Sequence, residues 1–322
     1  MKQMLMARGA ATVVKTCLGV KKGERILIVT EPEKMNIEKA VAQAVYGEYA
    51  EPTLIIMLPR DRDGQEPPES VAEAMKKSDG FISIVGRSIT HTHAVKDACQ
   101  AGSRGIMLTQ FSEDMMIHGG LEADFPQSAR DCKAVAKKLG GAKKIRLTTA
   151  AGTDLTYSAV GRRYNAMYCM VEPGEFAPVP TVEANVSPLE GTANGTIVVD
   201  ASIPYINIGL LEQPVICHVE NGRITSIDGG AQARLLAEDL KSKNDANVYN
   251  IAEMGVGLNP QCRFMGFMLE DEGVFGSVHI GIGTSLTLGG NVKAACHYDL
   301  IMHRGTIEVD NEIIMKDGIL QI

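Results

Sequence analysis

Over its first 145 residues the chain alternates short, unbroken apolar runs with stretches of helical periodicity, and few folds satisfy that pattern. The runs are Arg25–Thr30, 52–57, Gly80–Val85 and 105–108. Each is too short for a helix and too continuously apolar for a sheet with one wet face. They read as strands buried on both sides. Helical patterns occupy 4–18, 38–46, 68–77, 93–101 and 127–139, with Pro68 suited to a first helical turn. Strand–helix alternation of this kind requires a mainly parallel sheet with helices on both faces.

From Lys144 onward the texture changes. Segments 145–149 and 154–157 form a hairpin pattern around Ala151-Gly152, and strands follow at 196–199 and 215–219. Glu220-Asn221-Gly222-Arg223 is a hairpin turn, and Asp310-Asn311 closes another. One helix stands out, at 231–240, while the Pro-, Gly- and acid-rich stretch 174–195 reads as a loop over a site. A chain of 322 residues exceeds one typical domain. The expected fold is α/β: a mainly parallel α/β domain over 1–145, then a mixed, mostly β domain over 146–322.

The chemistry concentrates in Ser277-Val278-His279-Ile280-Gly281-Ile282-Gly283 and in His297-Tyr298-Asp299. Both alternate as strands do, so His297 and Asp299 project from one face. If the two strands are neighbours, His279 joins them. Two imidazoles and a carboxylate around one point are a ligand set for a divalent transition metal. Isolated, each would be an ordinary hydrogen-bonded strand residue; together they favour a metal. Glu253 lies in an apolar strand entering a Gly-rich turn, where a charge needs an ion pair or a metal. Glu175 alone would be a surface-loop acid, and Glu270-Asp271-Glu272 a solvated turn, although one of those three could be a base near the metal. His91 and His93 follow the third strand at its carboxyl end, where α/β sheets bind ligands. They are candidate substrate contacts, the alternative being solvated histidines beside a Thr90 or Thr92 helix cap.

Composition removes other classes. Net charge is −7 with basic residues dispersed, and Trp is absent, so neither a nucleic-acid surface nor a base-stacking platform is expected. The seven cysteines include no CxxC pair, which fits reduced thiols. Residues 1–20 are interrupted by Lys2, Arg8 and Lys15, unlike a signal peptide, and no segment reaches membrane-spanning length. A cytoplasmic protein with a small-molecule or small-peptide substrate is expected. No Lys-Ser/Thr follows Gly281-x-Gly283, and no GxGxxG follows the first strand, so a nucleotide cofactor is not expected.

Several of these segments carry a resemblance. Pro173-Gly-Glu-Phe with Pro178, Glu190-Gly191, Ala252-Glu253, Asp271-Glu272, Val278-His279-Ile280 and His297-Tyr-Asp299-Leu resemble, in that order, the aminopeptidase T family of metallopeptidases. The resemblance covers the carboxy-terminal half. It implies that Glu175, Glu253, His279, His297 and Asp299 hold two divalent ions (Zn, Co or Mn) for amide hydrolysis, in a homodimer. Glu272 is the nearby base candidate. Two departures stand out: Leu286 occupies the position where those peptidases carry a Tyr, and the His279–His297 interval is shorter. The chain is also similar to the Fe(II)-dependent 2,5-dihydroxypyridine dioxygenases, through Gly257-Leu-Asn-Pro260, Thr90-His91-Thr92-His93 and the His-x-Asp segment. That branch implies one Fe(II) on His279, His297 and Asp299. It places its first His shortly after the Asn-Pro, whereas no His occurs here between Asn259 and Glu272, and Gly266 stands about there.

Overall fold

The structure is a computed structural model that describes residues 1–322. The chain packs as two compact units, 1–125 with 168–180 and 126–167 with 181–322. The division thus falls about twenty residues before the expected boundary at 145, and a later segment returns to the first unit.

In the first unit, α1 (Lys2–Ala11) runs into a π-helical turn over Thr12–Cys17. The β-branched Thr12, Val13 and Val14 begin that turn, and such side chains crowd a regular α-helix. Then come β1 (Arg25–Thr30), α2 (Met35–Gly47), β2 (Glu51–Ile56), α3 (Glu69–Lys77), β3 (Gly80–Val85), α4 (His93–Gln100), β4 (Arg104–Thr109) and α5 (Glu113–Ile117). The strands lie in the order β2-β1-β3-β4, all parallel. A fifth strand, Phe176–Pro178, joins in parallel beside β4. β3 and β4 are buried at every position, which is why their sequences show no alternation. Leu27, Val29, Val71, Met75, Phe81, Val95 and Met107 form one core cluster on this sheet. Each such burial contributes about 1.5–3 kcal/mol, so this cluster outweighs any single cap or ion pair in the unit.

The second unit begins with α6 (Phe125–Leu139), then β5 (Ile145–Thr148), β6 (Asp154–Tyr157) and β7 (Tyr164–Met167). After β8, the Phe176–Pro178 strand of the first unit, come β9 (Glu183–Val186), β10 (Asn194–Val199), β11 (Ser202–Ile203), β12 (Gly209–Leu210), β13 (Val215–Glu220), β14 (Arg223–Gly229) and α7 (Ala231–Ser242). The chain ends with β15 (Ile251–Gly257), α8 (Met268–Asp271), β16 (Val278–Gly283), β17 (His297–Met302), β18 (Thr306–Val309), β19 (Glu312–Lys316) and β20 (Ile319–Leu320). These strands make an eight-stranded sheet, β14-β13-β10-β6-β5-β18-β19-β20, and a seven-stranded sheet, β12-β11-β17-β16-β15-β9-β7. The expected hairpin turns are present: Asn221 and Gly222 have φ of 50° and 78°, and Asp310 and Asn311 have 49° and 73°. The stretch 174–195 corrects expectation, because it holds β8 and β9 rather than only loop. No helix is long and apolar enough to cross a membrane, and no cysteine is paired.

Candidate metal centre

The seven-stranded sheet builds the site from its four central neighbours, β17, β16, β15 and β9. Directly opposed residues of antiparallel strands share a face. The register sets Glu183 opposite Gly257, His279 opposite Gly255, both Glu253 and Asp299 opposite Gly281, and His297 opposite Gly283. Every candidate ligand therefore faces a glycine. At Gly255 a Cβ would overlap the His279 imidazole, and at Gly281 it would press on Glu253 and the His297 ring. The paired Gly-x-Gly segments of β15 and β16 are what let large side chains lie across the strands and meet. A register shift between Ile251 and Glu253 marks a bulge that aims Glu253 at this face.

Two groups of ligand atoms result. Glu183, Glu253 and His279 form one, and Glu253, His297 and Asp299 the other; within each, the atoms lie within 4.8 Å of one another. His297 Nε2 is 3.1 Å from Glu253 Oε2 and 3.3 Å from Asp299 Oδ1, and His279 Nε2 is 3.6 Å from Glu183 Oε2. All are buried except His297, whose side chain is 25% exposed.

The surroundings orient these groups as metal sites require. His297 Nδ1 lies 2.8 Å from the Thr284 carbonyl, which can only accept, so a proton belongs on Nδ1 and Nε2 is the nitrogen turned to the two carboxylates. That position suits a proton on Nε2 or a cation in its place. Asn185 donates to Glu183 Oε1 at 2.5 Å and accepts from Asn165 at 2.7 Å. Asp299 Oδ1 and His279 Nδ1 are buried without a hydrogen-bond partner.

Electrostatics agree. Burial, with Glu253 adding to it, pushes the Glu183 carboxyl up to about 7 although His279 opposes the shift. Burial and the Asp299 charge drive Glu272 far above the ordinary range. Burial disfavours charge on His297, yet Asp299 and Glu253 more than reverse that and raise it. Asp299, also disfavoured by burial, is held well below its ordinary value by His297. Four carboxyls, Glu183, Glu253, Glu272 and Asp299, thus crowd two imidazoles in a buried site, and the raised Glu183 and Glu272 reflect the cost of ionising all four together, which one or two divalent cations would offset. The residues fit a metal.

Of the ligands expected from the sequence, the structure brings together Glu253, His279, His297 and Asp299. Glu272 is buried nearby, its Oε1 3.2 Å from the Tyr205 hydroxyl. Glu175 is corrected: it is exposed, belongs to the first unit, and its carboxylate accepts from its own loop's Glu172 N–H at 3.0 Å. Glu183 stands among the converging groups instead. It lies between Val182 and Ala184, but Thr181 and Asn185 beside them blur the apolar run that singled out Glu253. His91 is likewise exposed in the first unit and is not among the converging groups. Thr92 caps α4 there, its hydroxyl accepting from Val95 N–H at 3.4 Å. Leu286 is half-exposed on a short 3-10 turn, Leu286–Leu288.

The sequence model of one family, 2,5-dihydroxypyridine 5,6-dioxygenase, matches residues 9–322. The chain belongs to this dioxygenase family. A curated family relative, the 2,5-dihydroxypyridine 5,6-dioxygenase of Pseudomonas putida KT2440, is 28% identical over 159 residues. That match spans 46% of this chain and 45% of the relative, so it covers about half of each. In fold, the structure of 2,5-dihydroxypyridine dioxygenase from Pseudomonas putida KT2440 is similar with a TM-score of 0.80 at 18% identity, covering 99% of this chain and 97% of that one. AmpT from Thermus thermophilus is similar with a TM-score of 0.71 at 13% identity, covering 100% of both chains. The two solved structures thus share this mixed α/β fold, and the chain, a member of an enzyme family, brings together two groups of side chains able to hold a metal ion.

Proposed function

We propose that this protein is an Fe(II)-dependent oxygenase that opens an electron-rich, dihydroxypyridine-like heteroaromatic ring. The convergence of Glu253, His297 and Asp299 on one buried face, in a chain matched to the dioxygenase family from residue 9 to 322, carries the reading. Fe(II) held by these residues would supply reaction with dioxygen. This assignment takes one His and two carboxylates, whereas the resemblance implies His279, His297 and Asp299; His279 Nε2 lies 3.6 Å from Glu183 Oε2. The chain's own residues do the rest. Thr284 fixes the tautomer of His297 through Nδ1. Glu272 is buried beside the Tyr205 hydroxyl, which also reaches Asp299, so its carboxyl is placed to exchange a proton with a ring hydroxyl.

A second reading is favoured by one observation: Glu253 belongs to both ligand groups. Such sharing suits two divalent ions held by Glu183, Glu253, His279, His297 and Asp299, which would supply carbonyl polarisation and an activated water for amide hydrolysis. Metal analysis of protein purified without added metal, followed by assays with 2,5-dihydroxypyridine under oxygen and with aminoacyl amides, separates the two. About one equivalent of iron with oxygen uptake supports ring opening. About two equivalents of Zn, Mn or Co with amide cleavage supports hydrolysis. Neither activity with either metal would refute both.

A further inference from the structure

Tyr205 lies in the connection between β11 and β12, beside Ile206 and Asn207 in left-handed backbone with φ of 48° and 62°. Its hydroxyl donates to Asp299 Oδ2 at 2.6 Å. Its ring packs on Tyr298 with centroids 5.0 Å apart. The Tyr298 hydroxyl donates to Asp239 Oδ2 at 2.9 Å, and Lys243 Nζ donates to Asp239 Oδ1 at 3.1 Å. A chain of contacts therefore runs from α7 through two stacked phenols to one oxygen of a candidate ligand.

We infer that Tyr205 is a positioning residue for the metal centre, fixing Asp299 so that Oδ1 is the oxygen offered to an ion. The terminal torsion of an aspartate is broad, so a hydrogen bond to one oxygen decides which oxygen faces the cluster. Asp299 Oδ1 is the one left buried without a hydrogen-bond partner, and it faces His297 Nε2 at 3.3 Å. A phenol thus reaches the site from the β11–β12 connection, although the position where the resembling peptidases carry a Tyr holds Leu286. Outer partners of metal-binding carboxylates set both affinity and coordination geometry. This assignment rests on the metal-centre reading above, whichever reaction the centre serves.

The test titrates the metal-free wild type, Tyr205→Phe and Tyr298→Phe proteins with Co(II), following the visible absorption band and fitting Kd. Tyr205→Phe keeps the ring packing and removes one oxygen. It should weaken binding about 10–100-fold and shift the band. The melting temperature of the metal-free protein should stay close to wild type. Tyr298→Phe leaves the Tyr205 hydroxyl in place and should bind close to wild type. A Tyr205→Phe protein with wild-type Kd and band overturns the inference. Equal losses in the two variants overturn it as well, because they would show that the effect does not depend on the bond from Tyr205 to Asp299. Wild-type protein that binds no Co(II) would instead bring down the metal-centre reading itself.

Discussion

Gly281 faces two ligands at once, Glu253 on β15 and Asp299 on β17. A methyl there has no room, since the His297 ring and Glu253 already fill the space. Gly281→Ala should cost about 1–3 kcal/mol of stability through overpacking, seen in urea unfolding, and should lower metal occupancy. Glu183 discriminates between the two readings. Glu183→Gln should leave iron binding and ring opening largely intact if only Glu253, His297 and Asp299 hold the ion; under the hydrolase reading it should remove one of two equivalents in elemental analysis. Glu253, His279, His297 and Asp299 stand out in the sequence because charged and imidazole groups interrupt apolar strands, His297 and Asp299 at two-residue spacing. Tyr205 was not legible, since a tyrosine in an irregular connection carries no signal until the chain is folded. Glu175 misled because its Pro-Gly-Glu-Phe context resembles a metallopeptidase motif, while its carboxylate only closes its own turn.

Among the elements, β4 shows how a strand end is anchored. Arg104, its first residue, donates to the Leu18 carbonyl at 2.7 Å, the Gly19 carbonyl at 3.1 Å and Glu24 Oε2 at 2.7 Å. Burial alone would raise Glu24, but Arg104 outweighs it and holds the carboxyl below its ordinary value. A carboxyl depressed in the folded state stabilises above its unfolded pKa, and that stabilisation is lost as pH falls through the folded value. Glu24→Gln should therefore cost about 1–3 kcal/mol near neutral pH. Its stability should also fall less steeply than wild type on acidification below about pH 4.3. Urea midpoints measured from pH 7 to pH 3 check both statements. The parallel strands were legible because burial on both faces leaves unbroken apolar runs. β9 was hidden for the converse reason: Glu183 and Asn185, turned to the site, break its apolar run, and the Pro- and Gly-rich flanks suggest a loop. The π-helical Thr12–Cys17 turn was hidden as well, since its apolar spacing differs from that of an α-helix by too little to read.

The first unit is a parallel sheet with its own apolar core, and the second holds every converging ligand. Ligand that binds only the folded state adds stability by mass action, about 2.7 kcal/mol at a hundred times Kd. Stripping the metal with a chelator should therefore lower the melting temperature of wild type but leave that of His297→Ala almost unmoved, as read by calorimetry. The alternation of strand and helix fixed the α/β class in advance, whereas the return of residues 168–180 to the first unit depends on a strand pairing that no local pattern announces. The most direct test is elemental analysis of wild type and His297→Ala purified side by side without added metal. A bound transition metal in wild type, lost on removing this imidazole, is the expected result. Wild-type protein that is metal-free and takes up no Fe(II), or a variant that keeps the full wild-type stoichiometry, would contradict the existence of the centre.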